Sequence, residues 1–284
     1  MKWQGRRQSS NIDDRRGRGG GRGLVIGGGG GLGVLAIVVI GYFMGIDLTP
    51  LLDDSAGRQP QTQGQLSAQD EAAGDFVAVT LADTEEVWTD IFRDQLNAHY
   101  QPTTLVLFSG MTQSACGGAS AATGPFYCPN DKKVYLDTDF FNVLSQQMGA
   151  EGDFAAAYVV AHEVGHYVQD QLGILSQANS LRAQSTEAQS NAISVMIELQ
   201  ADCFAGVWAN VAQDKIGAIE RGDFAEAMNA AGQIGDDTLQ RRAGQAVRPD
   251  NFTHGTSAER QHWFETGLET GRVDSCDTFS DATL

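Results

Sequence analysis

Residues 24–44 read LVIGGGGGLGVLAIVVIGYFM, 21 positions without a charged side chain. At ~1.5 Å of rise per helical residue this run is about 30 Å long, the hydrocarbon thickness of a bilayer. Its glycines weaken a helix in water but are tolerated in membrane helices. A buried core helix of this length would normally show a polar face. A cleaved leader would need a small-x-small site, which Gly45-Ile46-Asp47-Leu48 does not supply. The run is therefore expected to be a single transmembrane helix, and it divides the chain. Residues 1–23 form a basic tail, 45–70 a linker rich in Gln, Asp, Ser and Gly with Pro50 and Pro60, and 71–284 the folded domain.

Charge is distributed unevenly across that division. Residues 1–22 carry Lys2, Arg6, Arg7, Arg15, Arg16, Arg18 and Arg22 against Asp13 and Asp14, net +5. The whole chain is −17, so residues 45–284 carry −22. The positive-inside rule predicts a cytoplasmic tail in the inner membrane and an extracytoplasmic body, periplasmic in a Gram-negative cell. A body this acidic repels phosphates, so nucleic acid is not an expected partner.

The four cysteines agree with export. They form no Cys-x-x-Cys pair, and an even number outside the cytoplasm predicts two disulfides. Three connectivities are possible. Cys116–Cys128 is the most economical, closing a short Gly/Ala/Ser-rich loop, and Cys203–Cys276 would then tie the C-terminal tail to a helix.

Periodicity gives a mostly helical α+β domain. Residues 75–81 read as a short strand or the lead into a helix. Residues 83–98 read as a helix capped by Asp83 or Thr84, with Val87, Trp88, Ile91, Phe92 and Leu96 on one face. Thr103–Phe108 and Lys133–Leu136 read as strands, and 139–148 as a helix. From Phe154 onward the pattern is helical, with expected helices near 153–171, 181–213, 223–234, 236–246 and 256–270.

The 153–171 helix carries His162-Glu163-Val164-Gly165-His166. Histidines four apart lie one turn apart on one face, so both rings can bind one zinc ion. Glu163, at the edge of that face, can take a proton from water at the metal. A catalytic zinc needs a third protein ligand and an open position. The next long helix offers Glu198-Leu199-Gln200-Ala201-Asp202, again two groups at i, i+4. One carboxylate can bind zinc while the other accepts the spare ring N–H of a ligand histidine.

HExxH followed by Glu-x-x-x-Asp resembles the gluzincin class of zinc peptidases. That resemblance implies a zincin-like domain, with Glu198 as third ligand and Asp202 behind it. The 32 residues from His166 to Glu198 exceed the thermolysin spacing, and the polar stretch Ser176–Ser190 accounts for the excess. Over nearly its whole length the chain resembles the YpfJ-type family of neutral zinc metallopeptidases. The runs that carry this are MKWQGRRQSSNIDDRRG, SGMTQSACGGASAATGPFYCPNDKKVYLD, AHEVGHYVQ, ELQADCFAGVWA and FTHGTSAERQHWF.

His254, followed six residues later by Arg260, also resembles a C-terminal motif of membrane-bound gluzincins of the HtpX type. His254 is the expected transition-state donor, with Arg260 holding the local structure or an acidic group. Tyr127 and Tyr135 are further candidate donors. By analogy with zinc peptidases, Lys133–Asp137 is the expected exposed edge for substrate main chain. The expected activity is metal-assisted hydrolysis of a peptide or protein substrate, with one zinc ion held by His162, His166 and Glu198. The competing reading is a zinc-stabilised, membrane-tethered binding or assembly module. Glu163 weighs against it, since a purely structural site has no use for a base.

Overall fold

A computed structural model describes residues 1–17, 66–120, 123–220 and 222–280. The expected transmembrane run, and the expected linker up to residue 65, lie outside these residues.

Helix α1 (Ala68–Asp94) opens the larger part of the fold. Ser67 starts it: its hydroxyl accepts from the Asp70 amide while the Asp70 carboxylate accepts from the Ser67 amide. Such reciprocal caps are worth about 1 kcal/mol. Residues 75–81 are therefore helix, and no new helix begins at Asp83 or Thr84. The apolar stripe of Phe76, Val77 and Leu81 continues without a break into Val87, Trp88 and Ile91, all buried. Asp83 and Thr84 lie buried inside this helix, where Thr84 Oγ1 donates to the Leu81 carbonyl at 2.7 Å.

The main sheet has four strands. In chain order these are β1 (Ile12–Asp14), β2 (Thr104–Phe108), β5 (Phe126–Cys128) and β6 (Lys133–Asp137), arranged β1-β2-β6-β5. β1, β2 and β6 run parallel, while β5 runs antiparallel to β6. Between β2 and β5 a hairpin, β3 (Met111–Ser114) and β4 (Gly117–Ser120), stands apart as a second sheet. Lys133–Asp137 was expected to be the exposed edge. It is instead paired on both sides, as its nearly continuous burial requires. The edges are β1 and, beside β6, β5, which is too short to register as a strand by periodicity.

After Phe140–Asn142 and a π-helical turn at Val143–Gln147, the fold is helical. Helices α2 (Asp153–Gln171) and α3 (Ile174–Arg182) are followed by α4 (Glu187–Ile216), α5 (Asp223–Gln233), α6 (Asp236–Arg242) and α7 (Ser257–Thr270). The insert after His166 is thus a separate helix, and α4 begins at Glu187 behind a Thr186 cap. Among the described residues α4 alone is long and apolar enough to cross a bilayer, but its surface is mostly buried in the core.

Glycines let these helices touch. A Cβ on Gly206 of α4 would stand 2.1 Å from the Phe264 carbonyl oxygen, and one on Gly267 of α7 would stand 2.0 Å from that of Cys203. On α2, a Cβ at Gly165 would meet the Ala201 oxygen at 3.1 Å. α4 is therefore clamped between α2 and α7. The disulfides are Cys116–Cys128, which ties the β3–β4 hairpin to β5, and Cys203–Cys276, which ties α4 to the C-terminal segment. Loops of 12 and 73 residues correspond to about 3 and about 4 kcal/mol of chain entropy removed from the unfolded state.

Residues 1–17 of the basic tail pack against this body. β1 pairs in register with β2, Ile12 opposite Leu105. Trp3 packs edge-on against Phe76 at 5.6 Å, and Arg6 Nη1 donates to buried Asp83 at 2.7 Å. Arg16 is itself buried, over Gly74, where a Cβ would strike its guanidinium.

Candidate metal centre

His162 and His166 lie one turn apart on α2, facing α4, and the Gly165–Ala201 contact brings Glu198 opposite both. Glu198 Oε2 is 3.2 Å from His162 Nε2, and Oε1 is 3.4 Å from His166 Nε2. One ligand atom from each residue lies within 4.8 Å of the others.

The outer ring nitrogens are held. His162 Nδ1 donates to Asp202 Oδ1 at 2.9 Å. Asp202, wholly buried, also accepts from Tyr158 Oη and from Arg260, Nε to Oδ2 at 2.8 Å and Nη2 to Oδ1 at 3.0 Å. A carboxylate out of water needs this many donors. His166 Nδ1 donates to Gln169 Oε1 at 2.9 Å. Gln169 Nε2 in turn donates to the Ile197 carbonyl at 2.8 Å and to Gln200 Oε1 at 3.1 Å, and Gln200 Nε2 donates to the Cys276 carbonyl at 2.8 Å. Each amide is oriented by the next acceptor, and both ring Nε2 atoms face Glu198. Two neutral imidazoles and a carboxylate fit zinc, with the outer nitrogens bonded in the usual way.

The carboxylates and imidazoles of the cluster shift one another's titration. Burial pulls the His162 imidazole down, but Asp202 and Glu198 outweigh it and raise it to about 10. Glu198 is held well below the carboxylate range: its burial is overcome by the charge on His166 and the His162 hydrogen bond. Glu163, also buried, is shifted the other way, and burial is the main cause. Two carboxyl groups in one site are thus pushed apart, Glu198 toward its charged form and Glu163 toward its protonated form.

A cleft of about 410 Å³ opens over the centre. Glu163, His254 and Arg260 line it, as do Phe126 and Tyr127 of β5 and apolar Phe140, Met148, Val159 and Leu239. His254 sits at the rim with its side chain half exposed, and Asp236 accepts from its amide at 2.6 Å and faces its Nδ1 at 3.3 Å. Tyr127 Oη donates to Asp170 at 2.9 Å within the cleft wall. Tyr135 donates to Asp131 at 2.7 Å and stacks on Phe126, outside the cleft lining.

Four partners were absent from the sequence reading. Tyr158 stands at i−4 from His162 and Gln169 at i+3 from His166, so both spacings were visible on α2. Gln200 and Asp236 required the tertiary fold.

The family described as "Putative neutral zinc metallopeptidase" matches residues 1–279. The chain belongs to this family. It is 44% identical to "Uncharacterized protein YpfJ" of Escherichia coli (strain K12), over 98% of this chain and 99% of that protein. It is 42% identical to "Uncharacterized protein Rv2575" of Mycobacterium tuberculosis (strain ATCC 25618 / H37Rv), over 73% and 71%. No solved structure matches significantly. As a member of this zinc metallopeptidase family the chain implies zinc, and the His162, His166 and Glu198 group has the chemistry to hold it.

Proposed function

We propose that the chain is a membrane-attached zinc metallopeptidase that hydrolyses peptide bonds, with one zinc ion held by His162, His166 and Glu198. The observation that carries this is the convergence of those three donors, with both histidines oriented from behind, in a cleft that also presents buried Glu163. Three protein donors leave a position open for water and substrate, which favours catalysis over a closed structural site.

Bound zinc would supply Lewis acidity to water and to the scissile carbonyl. Glu163 takes the attacking water's proton and hands it to the leaving amine, a role suited to a carboxyl whose pKa is raised. His254, fixed by Asp236, donates to the oxygen on which charge develops. Asp202 and Gln169 keep the ligand imidazoles in one tautomer, and Arg260 and Tyr158 hold Asp202. The substrate main chain adds to the free edge of β5, whose Phe126 and Tyr127 line the cleft. The apolar wall suits a hydrophobic side chain beside the scissile bond.

The two disulfides support an extracytoplasmic body, and residues 24–44 supply the membrane attachment. The test is Glu163→Gln in the full chain. It is expected to keep wild-type zinc content and lose hydrolysis of a peptide library by at least a hundredfold. Equal hydrolysis by the variant, or none by zinc-loaded wild type, rules out the enzyme and leaves a zinc-stabilised binding module.

A further inference from the structure

The tail and the body are one folded unit, and this has consequences for how the chain meets a membrane. The contacts are specific and partly buried. Helix α1 carries Asp83 and Glu85, both buried. Arg6 takes Asp83, while Ser9, Asn11 and Arg7 converge on Glu85, Asn11 Nδ2 donating at 2.8 Å and Arg7 Nη1 at 3.3 Å. The strand pairing extends beyond β1: Leu105 N donates to the Asn11 carbonyl at 2.9 Å and Arg15 N to the Leu107 carbonyl at 2.8 Å. Arg15 pairs with Asp13 and Arg16 with Asp14. Lys2 lies 3.8 Å from Glu220. Each basic side chain of residues 1–17 therefore faces a carboxylate within the protein. The basic charges of residues 1–17 thus serve the fold.

A chain whose residues 1–17 and 66–280 form one body leaves and re-enters that body on the same side of any bilayer. We propose that residues 1–17 and the body occupy the same compartment, so that any membrane attachment made between them returns to the side it left. This rests on the membrane attachment given above and is independent of the peptidase reading.

The experiment is sided labelling of the full chain. The four native cysteines are consumed in disulfides, so an added cysteine is the only thiol. Ser10→Cys and Gln4→Cys report on the tail, and Gln184→Cys reports on the body; all three positions are exposed. Each variant is treated with a membrane-impermeant maleimide in spheroplasts and in inverted vesicles. Tail and body thiols are expected to label in the spheroplasts and to be protected in the vesicles, with less than a tenth of the spheroplast signal. Tail and body labelling from opposite faces overturns the proposal. Labelling of both only in inverted vesicles upholds the shared side and rejects the extracytoplasmic placement. Glu163→Gln activity moves with none of these outcomes.

Discussion

Arg260 grips Asp202 with two nitrogens, Nε to Oδ2 at 2.8 Å and Nη2 to Oδ1 at 3.0 Å, and both side chains are almost wholly buried. Removing one partner of such a pair leaves a charge in the interior with nothing to offset it. Arg260→Met is expected to cost about 3–5 kcal/mol of stability. Arg260→Lys should recover only part of that, because an ammonium cannot span both oxygens. Urea denaturation of the metal-free protein measures this, and a loss below about 1 kcal/mol for Arg260→Met would show that Asp202 is held by other means.

His166 depends on an amide where His162 has a carboxylate. Gln169→Leu leaves the ring free to take either tautomer, and zinc affinity is expected to fall about 10- to 100-fold. Gln200→Leu should follow in the same direction with a smaller effect, since it acts one bond further back. Competition with a zinc chelator gives both numbers. Unchanged affinity in Gln169→Leu would mean that packing alone orients the ring.

Asp137, at the end of β6, is fully buried, and burial raises its carboxyl to about 6 despite the amides of Asp139 and Gly110 that donate to it. Its folded value therefore exceeds the unfolded one, near 3.8. Between those values the folded state binds more protons. This group's contribution is fully favourable below about pH 4 and is lost as pH rises through about 6. The shift corresponds to roughly 3 kcal/mol. Asp137→Asn should flatten that part of the stability profile, measured by denaturant midpoints from pH 4 to 7. A profile unchanged by the substitution would exclude Asp137 as its source.

Gly267→Ala places a methyl group where the Cys203 carbonyl stands. Helices α4 and α7 must then separate, at a cost of about 3 kcal/mol or more. Because α7 carries Arg260 and α4 carries Asp202, the same change should weaken zinc retention. Thermal unfolding with metal analysis tests both. Loss of stability with full zinc retention would separate the helix contact from the site.

The candidate metal-binding residues were legible because two i, i+4 pairs announce themselves on helices whose apolar faces are also visible. β2 and β6 were legible as β-branched runs between charged ends. β5 was not, because three residues carry no periodicity, and its place at the edge depends on β6 taking a central position. β1 was hidden for another reason. Asn11-Ile12-Asp13-Asp14 is polar apart from Ile12, and only its register against Leu105, Val106 and Leu107 makes it a strand. The supposed cap at Asp83 failed because Arg6, 77 residues upstream, satisfies that carboxylate. Gln169 and Gln200 look like ordinary helix surface until their neighbours are placed.

The pairing of Ile12 with Leu105 also bears on how the molecule is made. The first strand synthesised must wait for a partner that leaves the ribosome long afterwards, and α1 cannot cover Asp83 and Glu85 by itself. Contacts so distant in sequence slow folding. Until they form, β2 has an unpaired edge and the nascent chain carries complementary charges at a distance. Docking of the first strand thus waits until the chain has been made through β2, and a product truncated before Leu105 should be a preferred target of quality-control proteolysis.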